Sequence, residues 1–472
     1  MRLDTRFGML LVWVVVTACA LLYAGRPEQR LSWPIVVIGG VAVVAAIGLP
    51  SSRRVAQARR MAESAAELAD LGRGAEAIET YDDLVSRFGE ARDGDVRNQV
   101  ASGLFNKGHE LSRQRRDEEA LAAFDEVIER LGDDRDTDAI YLVSRARVNK
   151  GAALIGLNRH DEALAEFQGV VRDIGEPRSP RMREVAARAR GGTALSLLRA
   201  ERYGDAVLAA DDGIRRFGGA SEPQMETQVA SLLLMKAEAL GGLGKHDEEF
   251  VVYAGIVDRY GGTVDSEMSP LVAQALVSRG SILLQLDRFD EACAANDEAF
   301  EWISDRAFDP PDLSLIEMAA KAMASKGLAL FDRGRLAEAL TAYDRALARM
   351  GDPPDPALLR RRSSVLNNRG AALAKLERWD EALAAYEEAL AIRLEAGEPS
   401  SNTIALVLVN KAEALASLGR CSEALALCDG VEGRLLGVEH PTARMVLDET
   451  ARIRQTCGRS SPAGPPGREA GS

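Results

Sequence analysis

A nine-residue phrase that returns at a nearly constant interval constrains this chain more than any other feature of its sequence. It reads Arg-Trp-Asp-Glu-Ala-Leu-Ala-Ala-Tyr at 378–386, and close relatives begin at Arg116 and Arg159. The interval between copies is 43 residues five times and then 47, 43 and 42. A fixed period of this size predicts a solenoid of stacked helical units. The nine copies place these residues at the same anchor position: Ala77, Ala120, Ala163, Ala206, Glu249, Ala292, Ala339, Ala382 and Ala424.

Each copy carries the pattern of two packed helices. A small residue precedes the anchor by twelve positions, a leucine precedes it by nine, and an aromatic residue usually follows it by four, as in Gly370, Leu373 and Tyr386. This spacing places apolar stripes on two facing helices. Six second helices are predicted to end at a left-handed glycine cap. These glycines are Gly89, Gly132, Gly175, Gly218, Gly261 and Gly351.

These residues resemble the tetratricopeptide repeat (TPR), in which small, large and aromatic residues recur at the same offsets. The resemblance covers about residues 55–456. Because the usual TPR period is about 34 residues, the units look most similar to the extended repeats of kinesin light chains. The resemblance implies an all-α, right-handed TPR solenoid of about nine helix-turn-helix repeats in residues 51–457, ending in a capping helix. Three residues depart from the repeat pattern: Ala210, Glu249 and Asn296.

The two ends of the chain differ from the repeats. Residues 8–24 and 33–50 are apolar runs just long enough to cross a bilayer, so residues 1–50 are predicted to form a two-helix transmembrane hairpin. More arginines flank the hairpin than lie in its turn, which places the repeats in the cytoplasm. A cleaved signal peptide ending near Ala20 is the alternative. Residues 458–472 are rich in Pro, Gly and Ser and are predicted to be disordered.

Several functional classes are disfavoured by composition and spacing. The chain carries a formal net charge of −13, and an acidic repeat domain is a poor nucleic-acid binder. The four histidines share no spacing, and the five cysteines form no Cys-x-x-Cys pair, so no zinc site is expected. No phosphate loop or nucleophile motif is present. The sequence therefore predicts no catalytic residues, no metal and no cofactor.

A peptide-binding surface is the remaining candidate. The TPR resemblance implies a groove lined by the first helices, and asparagines recur there two positions before the small residue. Asparagine is a mediocre helix former, and its amide can both donate to and accept from a ligand backbone. Arg145 and Lys321 lie one helical turn before Asn149 and Ser325, respectively, and could hold a carboxylate. The alternative is that these side chains bond to each other or to neighbouring helices. The asparagines are Asn106, Asn149, Asn368 and Asn410, which predicts two sub-sites, in repeats two to three and eight to nine.

Two recurrent basic positions are predicted to be structural. The lysine or arginine after each of these sites, such as Lys107, should pair with an acidic neighbour. The basic residue in each inter-helix turn, such as Arg116, should suit the negative end of the first helix.

The sequence thus favours a membrane-anchored, non-catalytic scaffold that binds peptide segments of partner proteins at the cytoplasmic face. An extracytoplasmic envelope assembly factor or chaperone with the same repeats is the alternative. An enzyme within a helical scaffold would need a polar catalytic cluster, which the sequence does not reveal.

Overall fold

The computed structural model describes residues 53–460 of the chain, apart from residues 92, 178, 221, 307–311, 352–354, 396–400 and 436–439. Within this part of the chain the regular structure is α-helical and comprises 19 helices. The predicted all-α fold of paired helices is therefore confirmed there. The chain divides between Arg202 and Tyr203 into two compact units.

The first unit contains seven helices, which alternate between the first and the second helix of successive repeats. From α2 onward each helix packs against the next one, and the first helices α3, α5 and α7 also touch in sequence. The helices are α1 (residues 53–70), α2 (Gly74–Phe88), α3 (Gly94–Arg113), α4 (Asp117–Leu131), α5 (Thr137–Gly156), α6 (His160–Ile174) and α7 (Pro180–Arg199).

The second unit continues the same alternation through twelve helices. Each helix again packs against its successor, and the first helices of neighbouring repeats touch. The helices are α8 (Tyr203–Phe217), α9 (Pro223–Gly242), α10 (His246–Tyr260), α11 (Ser269–Gln285), α12 (Phe289–Ser304), α13 (Leu313–Asp332), α14 (Leu336–Met350), α15 (Pro356–Lys375), α16 (Trp379–Glu395), α17 (Ser401–Ser417), α18 (Cys421–Leu435) and α19 (Pro441–Ser460).

The small residue of each first helix packs against the aromatic ring of the same repeat. A Cβ atom added at Gly151 would lie 2.6 Å from the ring of Phe167, and one at Gly370 would lie 2.5 Å from the ring of Tyr386. The anchor alanine between them, such as Ala382, is completely buried. Small, aromatic and anchor residues therefore form one packing unit, and this close approach of backbone to ring explains why they recur together.

The left-handed residue of the repeat lies in the turn between the two helices, not at the end of the second helix. Two of the predicted glycine caps, Gly175 and Gly351, have positive φ values of 58° and 59°. Gly89, by contrast, has a φ of −58°. Glycine is still required at Gly89, since a Cβ there would lie 2.5 Å from the Val85 carbonyl oxygen. The left-handed turn residues are Gly72, Arg115, Asn158, Glu201, Gly244, Asp287, Gly334, Glu377 and Gly419.

A ladder of ion pairs links successive repeats. In six repeats the basic residue that precedes the small residue reaches back to an acidic residue of the previous second helix, which confirms its predicted structural role. The nitrogen–oxygen distances are 2.5–3.0 Å. The pairs are Lys107–Asp82, Lys150–Asp125, Lys236–Asp211, Lys326–Asp297, Arg369–Asp344 and Lys411–Glu387. Arg279, at the same position, instead pairs with Glu298 of its own repeat.

The basic residue of the turn pairs with a carboxylate at the start of the second helix rather than with the end of the first helix. Arg116 immediately precedes α4, and its Nε and Nη2 atoms both donate to the Glu119 carboxylate at 2.7 Å. The same i, i+3 pair recurs from Arg73–Glu76 to Arg420–Glu423. The expected interaction with the end of the first helix is therefore replaced by a carboxylate pair at the start of the second. Because these side chains are exposed, each pair contributes little stability.

Two polar residues replace apolar ones in the core of the fifth and sixth repeats. Glu249 stands at the anchor position, is 5% exposed, and lies 3.1 Å from Nδ1 of His246. Asn296 fills the aromatic position beside Gly280, and its Nδ2 donates to the Ala292 carbonyl at 2.8 Å. Its buried Oδ1 has no partner among the described residues. The departures of Glu249 and Asn296 from the repeat pattern thus take the form of buried polar groups within intact helices.

We expect Glu249→Gln to stabilise the chain at neutral pH by about 1 kcal/mol, the lower end of the cost of burying a poorly compensated polar group. Burial raises the pKa of the Glu249 carboxyl, and the hydrogen bond to His246 offsets part of this. Since the folded pKa is the higher one, stability falls as the pH rises from the unfolded value through the folded value. Urea unfolding should therefore show the gain at pH 8 and little gain at pH 4. Glu248→Gln, on the exposed side of the same turn, is the control, and an equal gain at both pH values would contradict the assignment.

The final helix is joined to the ninth repeat by a disulfide. α19 packs against both α17 and α18, and Cys457 near its end bonds to Cys421 at the start of α18, with Cα atoms 5.3 Å apart. The sequence spacing excluded a zinc pair but gave no indication of this bond. Cys428, in the aromatic position of the ninth repeat, is a buried free thiol.

The expected membrane localisation is corrected. Among residues 53–460, in the ranges that the structure describes, no helix combines the length and the apolar character needed to cross a bilayer. The two apolar runs on which the expectation depended, residues 8–24 and 33–50, lie outside the described residues. A two-span membrane protein with cytoplasmic repeats is therefore not supported.

Candidate functional site

Asn106, one of the predicted ligand-binding asparagines, is engaged within the fold. Tyr81, the aromatic residue of the preceding repeat, is buried. Burial raises the pKa of its hydroxyl, and the Asn106 side chain partly offsets this. Ser278 acts on the buried Tyr253 in the same way, again across 25 residues. The Tyr343 hydroxyl, 25 residues before Asn368, has no hydrogen-bond partner in the described structure, so this relation does not hold in every repeat.

Asn149 has a different neighbour, because the aromatic residue of the preceding repeat is a phenylalanine. The residue 25 positions earlier is Phe124, which has no hydroxyl. Asn149 is 9% exposed, and its Oδ1 instead accepts a hydrogen bond from Nη2 of Arg188 at 3.1 Å. The amide thus orients a cation on the next first helix, α7.

Arg145 lies on the same helix as Asn149, one turn earlier, and is held against aromatic rings. Its guanidinium carbon is 4.3 Å from the centre of the Phe105 ring on α3 and 5.4 Å from that of Tyr141 on α5. Arg181 on α7 approaches the same Tyr141 ring at 5.8 Å. Cation–π contacts of this kind fix an arginine without neutralising its charge.

Neither Arg145, Arg181 nor Arg188 has a carboxylate within ion-pairing distance in the part of the chain that the structure describes. Burial lowers the pKa of Arg188, and the charge of Arg145 lowers it further, although Glu184 opposes both effects. Partial burial lowers the pKa of His109, and the positive charges of Arg113, Arg188 and Arg145 lower it further. The surface is therefore positively charged and incompletely compensated. It is called the arginine cluster below and consists of Phe105, His109, Tyr141, Arg145, Asn149, Arg181 and Arg188.

The second predicted sub-site is assembled differently from the prediction. Asn410 Nδ2 donates to Oδ1 of Asn367 at 3.0 Å, across neighbouring first helices α15 and α17. Asn368 is half-buried and takes no part in this bond. Lys321 is exposed on α13, and no hydrogen bond joins it to these amides in the described structure. The amides of this region therefore bond to each other, which was the structural alternative.

A small cleft lies beside Lys321's helix in the second unit. Its volume is about 240 Å³, and Leu284, Phe289 and Leu328 form its apolar part. Leu328 is 48% exposed. A larger cleft of about 780 Å³ follows α4, but its lining is charged and includes the Arg97–Asp134 ion pair at 2.8 Å. Neither cleft contains any predicted site residue, and in the described ranges no group of histidine, cysteine and carboxylate side chains could hold a metal.

The residues of the arginine cluster that were missed had a signal in the sequence. Arg188 follows Arg145 by 43 residues, so both occupy the same position of their repeats. Tyr141 lies one helical turn before Arg145 on the same helix, and the Phe105 ring contacts Arg145 from α3. Searching for asparagine alone selected Asn149 and Arg145 but not their partners. Aligning every first-helix position across repeats would have found the pair of arginines.

Comparison with known proteins agrees with the repeat architecture. One tetratricopeptide repeat model matches residues 361–427, and another matches residues 105–177 and 298–356, which identifies tetratricopeptide repeats in these ranges. No curated protein matches the chain. The finer resemblance to kinesin light chain units is not supported by these matches.

Three solved structures illustrate the likeness of this chain to known proteins. The apo form of RapI has a TM-score of 0.52 at 10% identity, covering 86% of this chain and 99% of its own. The apo form of the quorum sensor NprR from B. thuringiensis has a TM-score of 0.47 at 14% identity, covering 80% and 98%. A Rap protein complexed with competence and sporulation factor has a TM-score of 0.36 at 14% identity, covering 77% and 99%. At 10% identity the likeness to RapI concerns the fold alone.

Proposed function

We propose that this tetratricopeptide-repeat chain is a non-catalytic scaffold that binds peptide segments of partner proteins on its first helices. The observation that supports this most directly is the arginine cluster on α3, α5 and α7. Three arginines there lack an ionic partner among the described residues, and two aromatic rings and one amide hold them in place. Cations that are positioned but not neutralised fit a ligand that supplies the opposite charge.

The positive charge of the arginine cluster contrasts with the charge of the rest of the chain. The whole chain is acidic, with a net charge of −13, and most of its other basic residues are paired within or between repeats. The arginine cluster is therefore the place where a partner's acidic group would be attracted rather than repelled. Aromatic rings beside it offer apolar contact for the neighbouring part of a peptide.

The remaining predicted residues take different places in this proposal. Arg145 and Asn149 belong to the binding surface, with Arg145 contacting the ligand and Asn149 orienting Arg188. Asn106 supports Tyr81 and lies outside the binding surface. Asn368, Asn410 and Lys321 constitute a second, separate region, whose amide pair would have to open before it could hold a peptide backbone.

A displayed library of random 12-residue peptides, selected against the full-length chain, tests the proposal. We expect enrichment of acidic peptides, and fluorescence anisotropy with one selected peptide should show at least about tenfold weaker binding to Arg188→Gln. A charge-assisted hydrogen bond is worth roughly 1.5–3 kcal/mol, and 1.4 kcal/mol corresponds to a factor of ten.

Arg147→Gln is the matched control. Arg147 lies on the same helix as Arg145 but is engaged by Glu166 at 2.8 Å and by Asp173 at 2.7 Å. Its loss should leave peptide affinity nearly unchanged. If the library yields no acidic peptide, or if both variants weaken binding equally, the arginine cluster is not the binding surface.

A further inference from the structure

The charge of the arginine cluster exceeds what one carboxylate would neutralise. Arg145, Arg181 and Arg188 have no ion-paired carboxylate in the described structure. The carboxylate that acts on Arg188 is that of Glu184, and the one that acts on His109 is that of Glu110. Glu110 is already bound to Arg113 at 2.9 Å. Three positive charges against Glu184 alone leave an excess of about two, and a phosphoryl group carries between one and a half and two negative charges near neutral pH.

The arrangement of the two central guanidinium groups also suits three acceptor oxygens. Arg145 lies against the Phe105 and Tyr141 rings, and none of its N–H groups donates a hydrogen bond to another residue in the described structure. Arg188 gives one N–H to Asn149 and keeps its others. The two arginines occupy the same repeat position on the neighbouring helices α5 and α7. Two planar forks from adjacent helices match the oxygens of a tetrahedral phosphate better than the two coplanar oxygens of a carboxylate.

The unliganded cluster carries an energetic cost that an anion would remove. Arg188 is half-buried and lies in the repulsive field of Arg145, and a desolvated cation without a counterion is unfavourable. The groups that act on Arg188 are Tyr141 and Arg145 from α5 and Glu184 from its own helix, and Arg188 itself acts on His109 from α3. Of these, only Glu184 supplies negative charge.

We propose that the arginine cluster on α3, α5 and α7 is a phosphoryl-binding site, and that it takes a phosphorylated side chain of the partner peptide. This rests on the proposed function, which it makes more specific. Arg145 and Arg188 bind the phosphoryl oxygens, Asn149 positions Arg188, and Arg181 adds long-range attraction.

Inorganic phosphate tests the site without any partner. Thermal unfolding of the full-length chain is measured in phosphate and in acetate at equal ionic strength and pH 7.5. We expect phosphate to raise the melting temperature more than acetate does. The difference should shrink at pH 5.5, where phosphate is largely singly charged. Arg145→Gln/Arg188→Gln should abolish the difference, whereas Arg147→Gln should retain it. Equal stabilisation of wild type by both anions would overturn the phosphoryl site.

The unliganded variants distinguish a lost site from a damaged fold. Because Arg188 is an uncompensated cation, Arg188→Gln should melt at the same or a higher temperature than wild type in chloride, whereas the ion-paired Arg147→Gln should melt lower. A lower melting temperature of Arg188→Gln than of wild type in chloride would mean that this arginine stabilises the unliganded fold, and it would contradict its role as an uncompensated anion-binding cation.

Two synthetic peptides separate this inference from the proposed function. In a peptide selected from the library, the acidic residue that contacts the cluster is replaced by phosphoserine or by glutamate, and both are titrated by fluorescence anisotropy. At least about tenfold tighter binding of the phosphoserine peptide is expected. Equal or tighter binding of the glutamate peptide would leave the peptide scaffold standing and refute the phosphoryl preference. If phosphate stabilises the chain but neither the library nor the synthetic peptides yield a binder, the peptide scaffold is refuted and the phosphoryl site stands.

Discussion

Replacing Phe167 with alanine is expected to destabilise the first unit by about 3–5 kcal/mol, the usual cost of deleting a large buried aromatic side chain. Phe167 is 2% exposed. Its ring lies against Gly151 of its own repeat, where an added Cβ would be 2.6 Å away, and also against Gly192 of the next repeat. The ring therefore joins two repeats, and its loss leaves a cavity that two backbones enclose. Urea unfolding followed by far-UV circular dichroism measures the loss.

Two further variants show whether the cavity is responsible. Phe289→Ala removes a ring that is only half-buried at the start of α12, so the loss should be clearly smaller. Gly151→Ala in the Phe167→Ala background places a methyl group in the vacated space and should recover part of the stability, although the same change in wild type should destabilise. If Phe167→Ala costs no more than Phe289→Ala, the ring does not hold the repeats together.

The sequence predicted the helical repeat well because the responsible contacts are local. Small residue, leucine, anchor and aromatic lie within one helical hairpin, and the contact of Gly151 with Phe167 spans only 16 residues. Because nine copies carry the same pattern, a chance resemblance in one copy has little influence on the predicted fold. The same reasoning located the ion-paired basic residue, because Lys107 and Asp82 recur as Lys150 and Asp125 one period later.

Backbone conformation was predicted less well, because glycine has more than one use. Gly89 was assigned a left-handed φ, but it is needed because a side chain would meet the Val85 carbonyl oxygen. Conversely, Glu377 is left-handed with φ of 58° although it has a Cβ atom. A turn shared by nine repeats is imposed by the packing of its two helices, which outweighs the modest preference of a single residue.

The candidate site depended on contacts between repeats, which one repeat's pattern does not contain. Asn106 and Asn149 have the same repeat position, yet one lies beside Tyr81 and the other orients Arg188. The residue 25 positions earlier is Tyr81 in one case and Phe124 in the other. A residue's role in such a chain therefore depends on its neighbours in adjacent repeats, which the repeat position alone does not specify.

Loss of the Cys421–Cys457 disulfide is expected to destabilise the end of the second unit by about 4 kcal/mol. The bond closes a segment with a sequence separation of 36 residues, and constraining an unfolded loop of that size is worth roughly this amount in the chain-entropy account. It fastens α19, which packs against α17 and α18. Since repeats stabilise mainly their neighbours, the effect should be concentrated there. Hydrogen exchange of α19 amides, with and without a reducing agent, measures it.

The arrangement of the two cysteines makes the effect of reduction specific to α19. Cys457 is 2% exposed and packs in the same apolar cluster as Val431 and Ile453, so reduction removes the covalent bond but leaves the apolar contacts. α19 should therefore remain helical while its amides exchange faster. In Cys421→Ser/Cys457→Ser exchange should be fast with or without reductant, whereas Cys293→Ser, which removes a free thiol, should behave as wild type. Unchanged α19 exchange on reduction would mean that apolar packing alone holds this helix, and that the disulfide contributes no measurable stability to the end of the repeat array.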